Sequence, residues 1–170
     1  MIGWSSCRMK GFQDFVRAMK LVSAKIPQAV FANLICTEKP LRLPGIPHKI
    51  HQPKTDRQMA HLYRSADVFV STSWYEGFVL PVLEAMACKT AVVTTNSDGV
   101  LDFCHHGTSG FIVPPKRPRA LASALLKVLR DRRLHRKLLV GAYHSALRHT
   151  KRQFEQDIVK TLEEIEQYHK

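Results

Sequence analysis

The chain has 170 residues, 45% of them apolar, with 26 Lys and Arg against 14 Asp and Glu and a formal net charge of +12. A single domain of that size buries about 70% of the surface its unfolded form exposes, so neither disulfides nor a structural metal is needed to hold a core. The balance excludes collagen-like, mucin-like and wholly disordered chains, and no apolar run approaches the roughly 18 to 20 residues of a membrane span.

Phe12, Phe15, Val16, Met19 and Val22 repeat at helical spacing and predict an amphipathic helix that ends before Pro27. It is expected to follow a truncated first strand. A β-rich stretch at residues 29–36 predicts a strand, and Pro40, Pro44, Gly45 and Pro47 mark a loop that returns through Lys49-Ile50-His51 to Pro53. Thr55 or Asp56 caps a helix that carries Met59, Leu62 and Tyr63 up to Ser65. Val68-Phe69-Val70 is short and wholly apolar, as suits a strand covered on both faces. A polar turn containing Gly77 then enters a helix that reaches Cys88, with Pro81 near its first position. Residues 91–95 predict a strand, residues 100–104 a short helix, and Phe111-Ile112-Val113 a further strand before Pro114-Pro115. Helices over residues 118–129, 132–148 and 151–168 complete the chain. This alternation predicts an α/β fold with a doubly wound, Rossmann-like parallel sheet and additional C-terminal helices, all within one domain.

Cys7, Cys36, Cys88 and Cys104 are far apart and sit beside apolar residues, so reduced, mostly buried thiols are expected. The near pairs His48/His51 and His105/His106 lack Cys or carboxylate partners at ligand spacing, and no metal site is predicted. Met1-Ile2-Gly3-Trp4-Ser5-Ser6 lacks the basic and apolar regions of a secretion signal, which predicts a cytoplasmic protein. The charge is uneven: residues 116–170 hold 14 Lys and Arg against 6 Asp and Glu, and residues 1–115 hold 12 against 8. Lys127, Arg130, Arg132, Arg133, Arg136 and Lys137 form its densest part. Such a run reads either as a solvated helix face or as a surface drawn to anionic lipid or another polyanion. Nucleic acid is disfavoured as a partner, because no interleaved aromatics, zinc-finger spacing or RNP motif accompanies the charge.

Ligands of open parallel sheets bind beyond the carboxyl ends of the strands, which directs attention to the turns after Val70 and after Trp4. From Glu76 to Leu80 the chain enters a helix whose first amides have no intrahelical acceptor, and Gly77 lets backbone approach an anion closely. Lys10-Gly11 opens the first helix, placing an ammonium to reach the same anion, with Arg8 two residues away. Glu84 lies among Val82, Leu83, Ala85 and Met86 on a helix that reads as buried, where a carboxylate needs a partner. Taken singly, Glu84 also reads as a favourable charge on the helix dipole, and Glu76 as an exposed loop acid. Taken together, the two carboxylates are suited to grip hydroxyls at two ends of one extended ligand.

The stretch from Ala66 to Cys88, ADVFVSTSWYEGFVLPVLEAMAC, resembles the E-x7-E segment of the retaining group 1 glycosyltransferases of GT-B fold. The resemblance continues through Ala91-Val92-Val93, Gly107 to Gly110 and Phe111-Ile112-Val113-Pro114-Pro115, and covers essentially the whole chain as the carboxyl-terminal, donor-binding domain of that family. It implies that Glu76 approaches the donor sugar and that the amides of Gly77, Phe78, Val79 and Leu80 hold sugar and diphosphate. It further implies that Glu84 binds ribose hydroxyls, that Lys10 neutralises the departing diphosphate, and that His51 and Gln52 line the base pocket. The implied chemistry is metal-independent hexosyl transfer with retention from a nucleotide diphosphate sugar, with no other cofactor. Electrostatic stabilisation and positioning supply the catalysis.

Three departures from the family pattern stand out. The usual Gly-Arg, four residues, then Lys-Gly is replaced by Gly3-Trp4-Ser5-Ser6-Cys7-Arg8-Met9-Lys10-Gly11, with Arg8 as the substitute arginine. Val79 stands where a small residue is usual, and Lys89-Thr90-Ala91 where Gly-x-Pro is usual. The amino-terminal acceptor domain is absent, so transfer is expected to need a partner chain or segment that supplies it. The competing reading is a non-catalytic relic or accessory domain that docks on a partner, or peripherally on an anionic membrane, through the basic C-terminal helices at residues 132–170. A NAD-type domain is disfavoured, because no Gly-x-Gly-x-x-Gly follows any strand.

Overall fold

The computed structural model describes residues 8–27, 32–35 and 43–168. Expectations that fall on Gly3, Trp4, Cys7, Cys36, Pro40 and residues 29–31 lie outside the described residues. A 3-10 turn, Arg8–Lys10, leads into α1 (Phe12–Ser23), β1 (Ala32–Ile35), β2 (His48–His51), α2 (Asp56–Arg64) and β3 (Val68–Ser71). Then come α3 (Leu80–Ala87), β4 (Ala91–Thr95), β5 (Phe111–Val113), α4 (Pro118–Arg130), α5 (Arg132–Ala146) and α6 (Lys151–Tyr168). The α/β class and the parallel pairing are as expected.

Every strand pair is parallel. β1 lies beside β2, with Ala32 opposite His48 and Ile35 opposite His51. β3, β4 and β5 form a second sheet in that order, with Val68 opposite Ala91 and Val93 opposite Phe111. β4 is buried along its whole length, and its side chains alternate between two cores. Ala91 and Val93 join Phe15, Met19 and Val22 of α1 and Leu121, Leu125 and Val128 of α4. Val92 joins Val82 and Met86 of α3 and Ala142 of α5 on the other face. Successive strand residues point to opposite faces, so a strand clad on both sides carries apolar residues on both, as Ala91, Val92 and Val93 do. Each fully buried Val or Leu side chain stabilises this sandwich by about 1.5 to 3 kcal/mol.

Three helices begin on side-chain caps, α6 among them through Thr150 Oγ1, which accepts from the Gln153 amide at 3.2 Å. Thr55 Oγ1 accepts from the Gln58 amide at 3.3 Å to open α2, and Asp131 Oδ1 accepts from the Leu134 amide at 2.9 Å to open α5. No side chain caps α3. The helix expected at residues 100–104 is instead a succession of turns, with the Leu101 amide donating to Asp98 and the Cys104 amide to Val100. Its apolar pattern reports burial rather than helicity: Val100, Phe103 and Cys104 are fully buried, and isolated turn bonds do not propagate a helix.

The C-terminal helices differ from one another. α5 is anchored by Leu138, Ala142, Ser145 and Ala146 and carries Arg132, Arg133, Arg136 and Lys137 on its exposed side. α6 buries no residue and holds three basic against five acidic side chains, so the positive charge belongs to α5 and not to the last helix. No helix among the described residues is long and apolar enough to cross a membrane.

Cys88 and Cys104 are both free. Burial pushes the Cys104 thiol up to about 12, against a smaller opposing pull from its hydrogen bond with Ser109. Burial also raises Cys88, which remains half-buried. Thiolate is the reacting form, so iodoacetamide at pH 8 is expected to label Cys88 slowly and leave Cys104 untouched until urea unfolds the chain. Peptide mass mapping checks this; a Cys104 that labels equally fast folded and unfolded would contradict its place in the core.

Candidate functional site

The polar run after β3 is built into a clamp at the strand ends. Thr72 and Ser73 are buried, and Thr72 Oγ1 donates to the Lys10 carbonyl at 2.9 Å. The Trp74 amide donates to the Met9 carbonyl at 2.7 Å, and the Trp74 indole donates to Asp14 Oδ2 at 2.7 Å. Lys116 places its ammonium 4.5 Å from the centre of the same indole. At the other end, Thr95 Oγ1 of β4 donates to the Ser73 carbonyl at 2.5 Å. The turn at Arg8–Lys10 is thereby pinned against the loop at residues 72–76.

Gly11 makes that approach possible. It sits at φ +63°, and a Cβ there would collide with the Thr72 carbonyl. Lys10, just before it, reaches Glu76 with Nζ 2.5 Å from Oε1. Ser73 Oγ donates to the same Oε1 at 2.7 Å. Both bonds fall on Oε1, so neither engages Oε2. The pair is partly open to solvent, with 35% of the Lys10 side chain and 18% of that of Glu76 exposed. The Glu76 backbone is fixed as well: its amide donates to Ser97 and its carbonyl accepts from Gly99. Ser97 Oγ is buried and has no hydrogen-bond partner among the described residues.

Beyond Glu76 the chain turns into α3. None of the amides of Gly77, Phe78, Val79 and Leu80 donates to a carbonyl or side chain among the described residues, which leaves the start of this helix open to an anion. Gly77 stands apart from the other described glycines: its φ is not positive, and nothing lies within 4 Å of where its Cβ would be. The fold therefore does not require glycine there, whereas a ligand lying on the backbone would.

Val79, which stands where a small residue is usual, points its side chain inward. Its side chain is only 4% exposed and packs in the core beside Val82 and Met86, so it offers backbone to a ligand and cannot crowd a sugar. Phe78 and Leu80 do face outward. Glu84 also differs, because it occupies the exposed side of α3 while Val82, Leu83, Ala85 and Met86 turn inward. Its partner is Tyr63, which is 2% exposed and donates its hydroxyl to Glu84 Oε2 at 2.7 Å. Burial first, and then this bond, push the Tyr63 phenol well above its ordinary range.

The remaining expected residues fall on two flanking clefts. His51 and Gln52 line a cleft of about 650 Å³ with Lys49, Arg57 and His61, and His51 Nε2 lies 2.7 Å from Asn33 Oδ1. Arg8 is exposed and lines a separate cleft of about 290 Å³ with Arg17 and Trp74. The structure therefore joins Lys10 to Glu76 and leaves Arg8 beside that pair rather than in it. Ser73, Tyr63 and the Asp14–Trp74 bond are the supports that the sequence reading missed. Only the polar run at residues 71–73 signalled any of them.

This parallel α/β fold is that of GT-B glycosyltransferase C-terminal domains. The chain belongs to the group 1 glycosyl transferases, whose family pattern matches residues 1–131. It is 31% identical over 151 residues to the D-inositol 3-phosphate glycosyltransferase of Corynebacterium jeikeium, covering 80% of this chain and 36% of that protein. It is 43% identical over 70 residues to an uncharacterized glycosyltransferase of Methanocaldococcus jannaschii, covering 41% of this chain and 18% of that one. The chain thus spans less than two fifths of these curated relatives. Among solved structures it is similar to the C-terminal domain of a glycosyl transferase group 1 family protein from Francisella tularensis, at 26% identity and a TM-score of 0.74, covering 86% of this chain and 82% of that one. Anabaena HepE in complex with UDP-glucose is similar in fold at 20% identity and a TM-score of 0.76, covering 96% of this chain and 48% of that one.

Two outcomes test the geometry. Gly11→Ala is expected to cost about 2 kcal/mol or more in urea unfolding, because it adds a Cβ in the left-handed region and drives it into the Thr72 carbonyl. Burial and the Lys49 charge lower the His51 pKa, so the folded chain favours neutral His51. The stability this contributes is present above the unfolded value of 6.5 and declines as pH falls below it. In an NMR titration the ring signal of His51 should therefore have its midpoint below 6.5, and a midpoint at or above that value would contradict the described environment.

Proposed function

We propose that the chain is the donor-binding half of a retaining hexosyl transferase and takes a nucleotide diphosphate sugar as its ligand. The observation that carries this reading is the convergence of Lys10, Glu76 and the unoccupied amides of Gly77, Phe78, Val79 and Leu80 at one end of the sheet. In this reading the diphosphate lies on the amides at the start of α3 and takes Lys10 as its cation. Lys10 then exchanges its bond to Glu76 for one to the diphosphate, and Glu76 turns to the sugar. Glu84 keeps Tyr63 on one oxygen and offers the other to ribose hydroxyls, and the base enters the cleft at His51 and Gln52. As the sugar–phosphate bond breaks, the lysine and the helix amides stabilise the developing diphosphate charge at no reorganisation cost, which favours the transition state over the ground state. Glu76 positions the sugar on the face that the acceptor approaches. Transfer needs an acceptor domain that a second polypeptide or a further segment supplies.

Isothermal titration of the folded chain with UDP, GDP and ADP, each without metal and at low salt, tests the reading. One nucleotide is expected to bind saturably, and Lys10→Ala and Glu84→Ala each to weaken it by about tenfold, or roughly 1.4 kcal/mol. Unchanged affinity in both variants would defeat the site assignment. Failure of all three nucleotides to bind would defeat the donor-binding reading.

A further inference from the structure

The densest positive charge of the chain lies on one face and takes no part in the donor site. α5 opens with Arg132, Arg133, Arg136 and Lys137 and holds no acid along its length. With Val140 these residues stand at i, i+1, i+4, i+5 and i+8, and all five are exposed, so they form one stripe along about two turns. Leu129 and Arg130, exposed at the end of α4, extend it. None of these cations enters an ion pair among the described residues. The nearest acid in sequence, Asp131, holds the Leu134 amide with Oδ1. The arrangement also works against the helix that bears it. Cations at the start of a helix oppose its dipole, and Arg132 with Arg136 and Arg133 with Lys137 are like charges four residues apart. A face that costs stability and has no internal counter-charge calls for an external anion.

We propose that this face docks the protein on a bilayer surface rich in anionic lipid. Its composition specifies the occupant. Arg132 and Arg136 stand between two clefts, one of about 520 Å³ shared with Arg133, Lys137 and Val140, the other of about 540 Å³ with Ile26, Leu129 and Leu139 on its walls and one acid, Asp67. Guanidinium groups pair with lipid phosphates, while their aliphatic stems and the exposed Leu129 and Val140 meet the acyl boundary. Neither cleft holds a Phe, Tyr or Trp on which a base could stack, which separates this surface from a nucleic-acid groove. α6 takes no part, because acids outnumber bases on it. His135 Nε2 donates to the Asp67 carbonyl at 2.8 Å and so fixes the start of α5 at the amino end of β3, whereas Lys10 and Glu76 meet beyond its carboxyl end. Lipid and nucleotide therefore do not compete, and docking is tested without nucleotide.

The test is sedimentation of the full chain with vesicles of phosphatidylcholine alone or of phosphatidylcholine mixed with phosphatidylglycerol. Binding is expected to the mixed vesicles only, and should weaken at least about tenfold as salt rises from roughly 50 to 200 mM. Arg133→Glu combined with Lys137→Glu should weaken it at least about tenfold at low salt. Lys151→Glu combined with Arg152→Glu makes the same change in net charge on α6 and is expected to bind as the parent does. Val140→Asp, a separate single change on the stripe, is expected to weaken binding by about threefold or more, which tests the face without altering its cations. Absence of binding to the mixed vesicles at low salt overturns the proposal, as does equal binding to both kinds of vesicle. Equal loss in the α5 and α6 variants would make net charge the cause rather than this face, and would overturn it too. Tighter binding to a single-stranded oligouridylate than to the mixed vesicles, lost in the α5 variant, would assign the face to nucleic acid and overturn the proposal in the same way.

Discussion

The close approach of the Lys10-Gly11 turn to the Thr72 carbonyl is the constraint on which the site depends. Lys10 and Glu76 are 66 residues apart in sequence, and their side chains meet because the backbones behind them touch. That contact tolerates no side chain at Gly11 and is reinforced by Thr72, Trp74 and Asp14. A pair of opposite charges at the surface contributes little to stability by itself. Here the surrounding hydrogen bonds do the holding, and the charges of Lys10 and Glu76 are left partly exposed where a ligand can exchange with them.

The two cores explain why the clamp is rigid. β3 and β4 are clad by α1 and α4 on one face and by α3 and α5 on the other, so the loops at their carboxyl ends emerge from fixed strands. α3 brings Glu84 to the surface by the same packing: once Val82, Leu83, Ala85 and Met86 turn inward, the helical period leaves Glu84 outside. The acid that looked buried in sequence is therefore available to a ligand and is steadied by a buried tyrosine.

Local pattern made much of this legible. The strands at residues 68–71, 91–95 and 111–113 read as short, mainly apolar runs, the cap at Thr55 as a polar residue before an amphipathic helix, and Glu76, Gly77 and Lys10 as chemistry at strand ends. What stayed hidden depends on contacts distant in sequence. Tyr63 reaches Glu84 across 21 residues and Trp74 reaches Asp14 across 60, and no periodicity reports such pairs. The direction of the Val79 side chain is likewise decided by Val82 and Met86 rather than by its place in the loop. The turns at residues 100–104 show the limit of apolar spacing, which marks what is buried without marking the backbone that buries it.

The missing cap of α3 has a thermodynamic meaning. α2 and α5 carry their own first-turn acceptors in Thr55 and Asp131, whereas α3 begins on Val79, whose side chain accepts nothing. A cap contributes about 1 kcal/mol to a helix. An anion seated on the free amides would act as that cap, so occupancy of the site and order of the first turn of α3 form one linked equilibrium. The ligand would complete the secondary structure of the protein as well as filling its site.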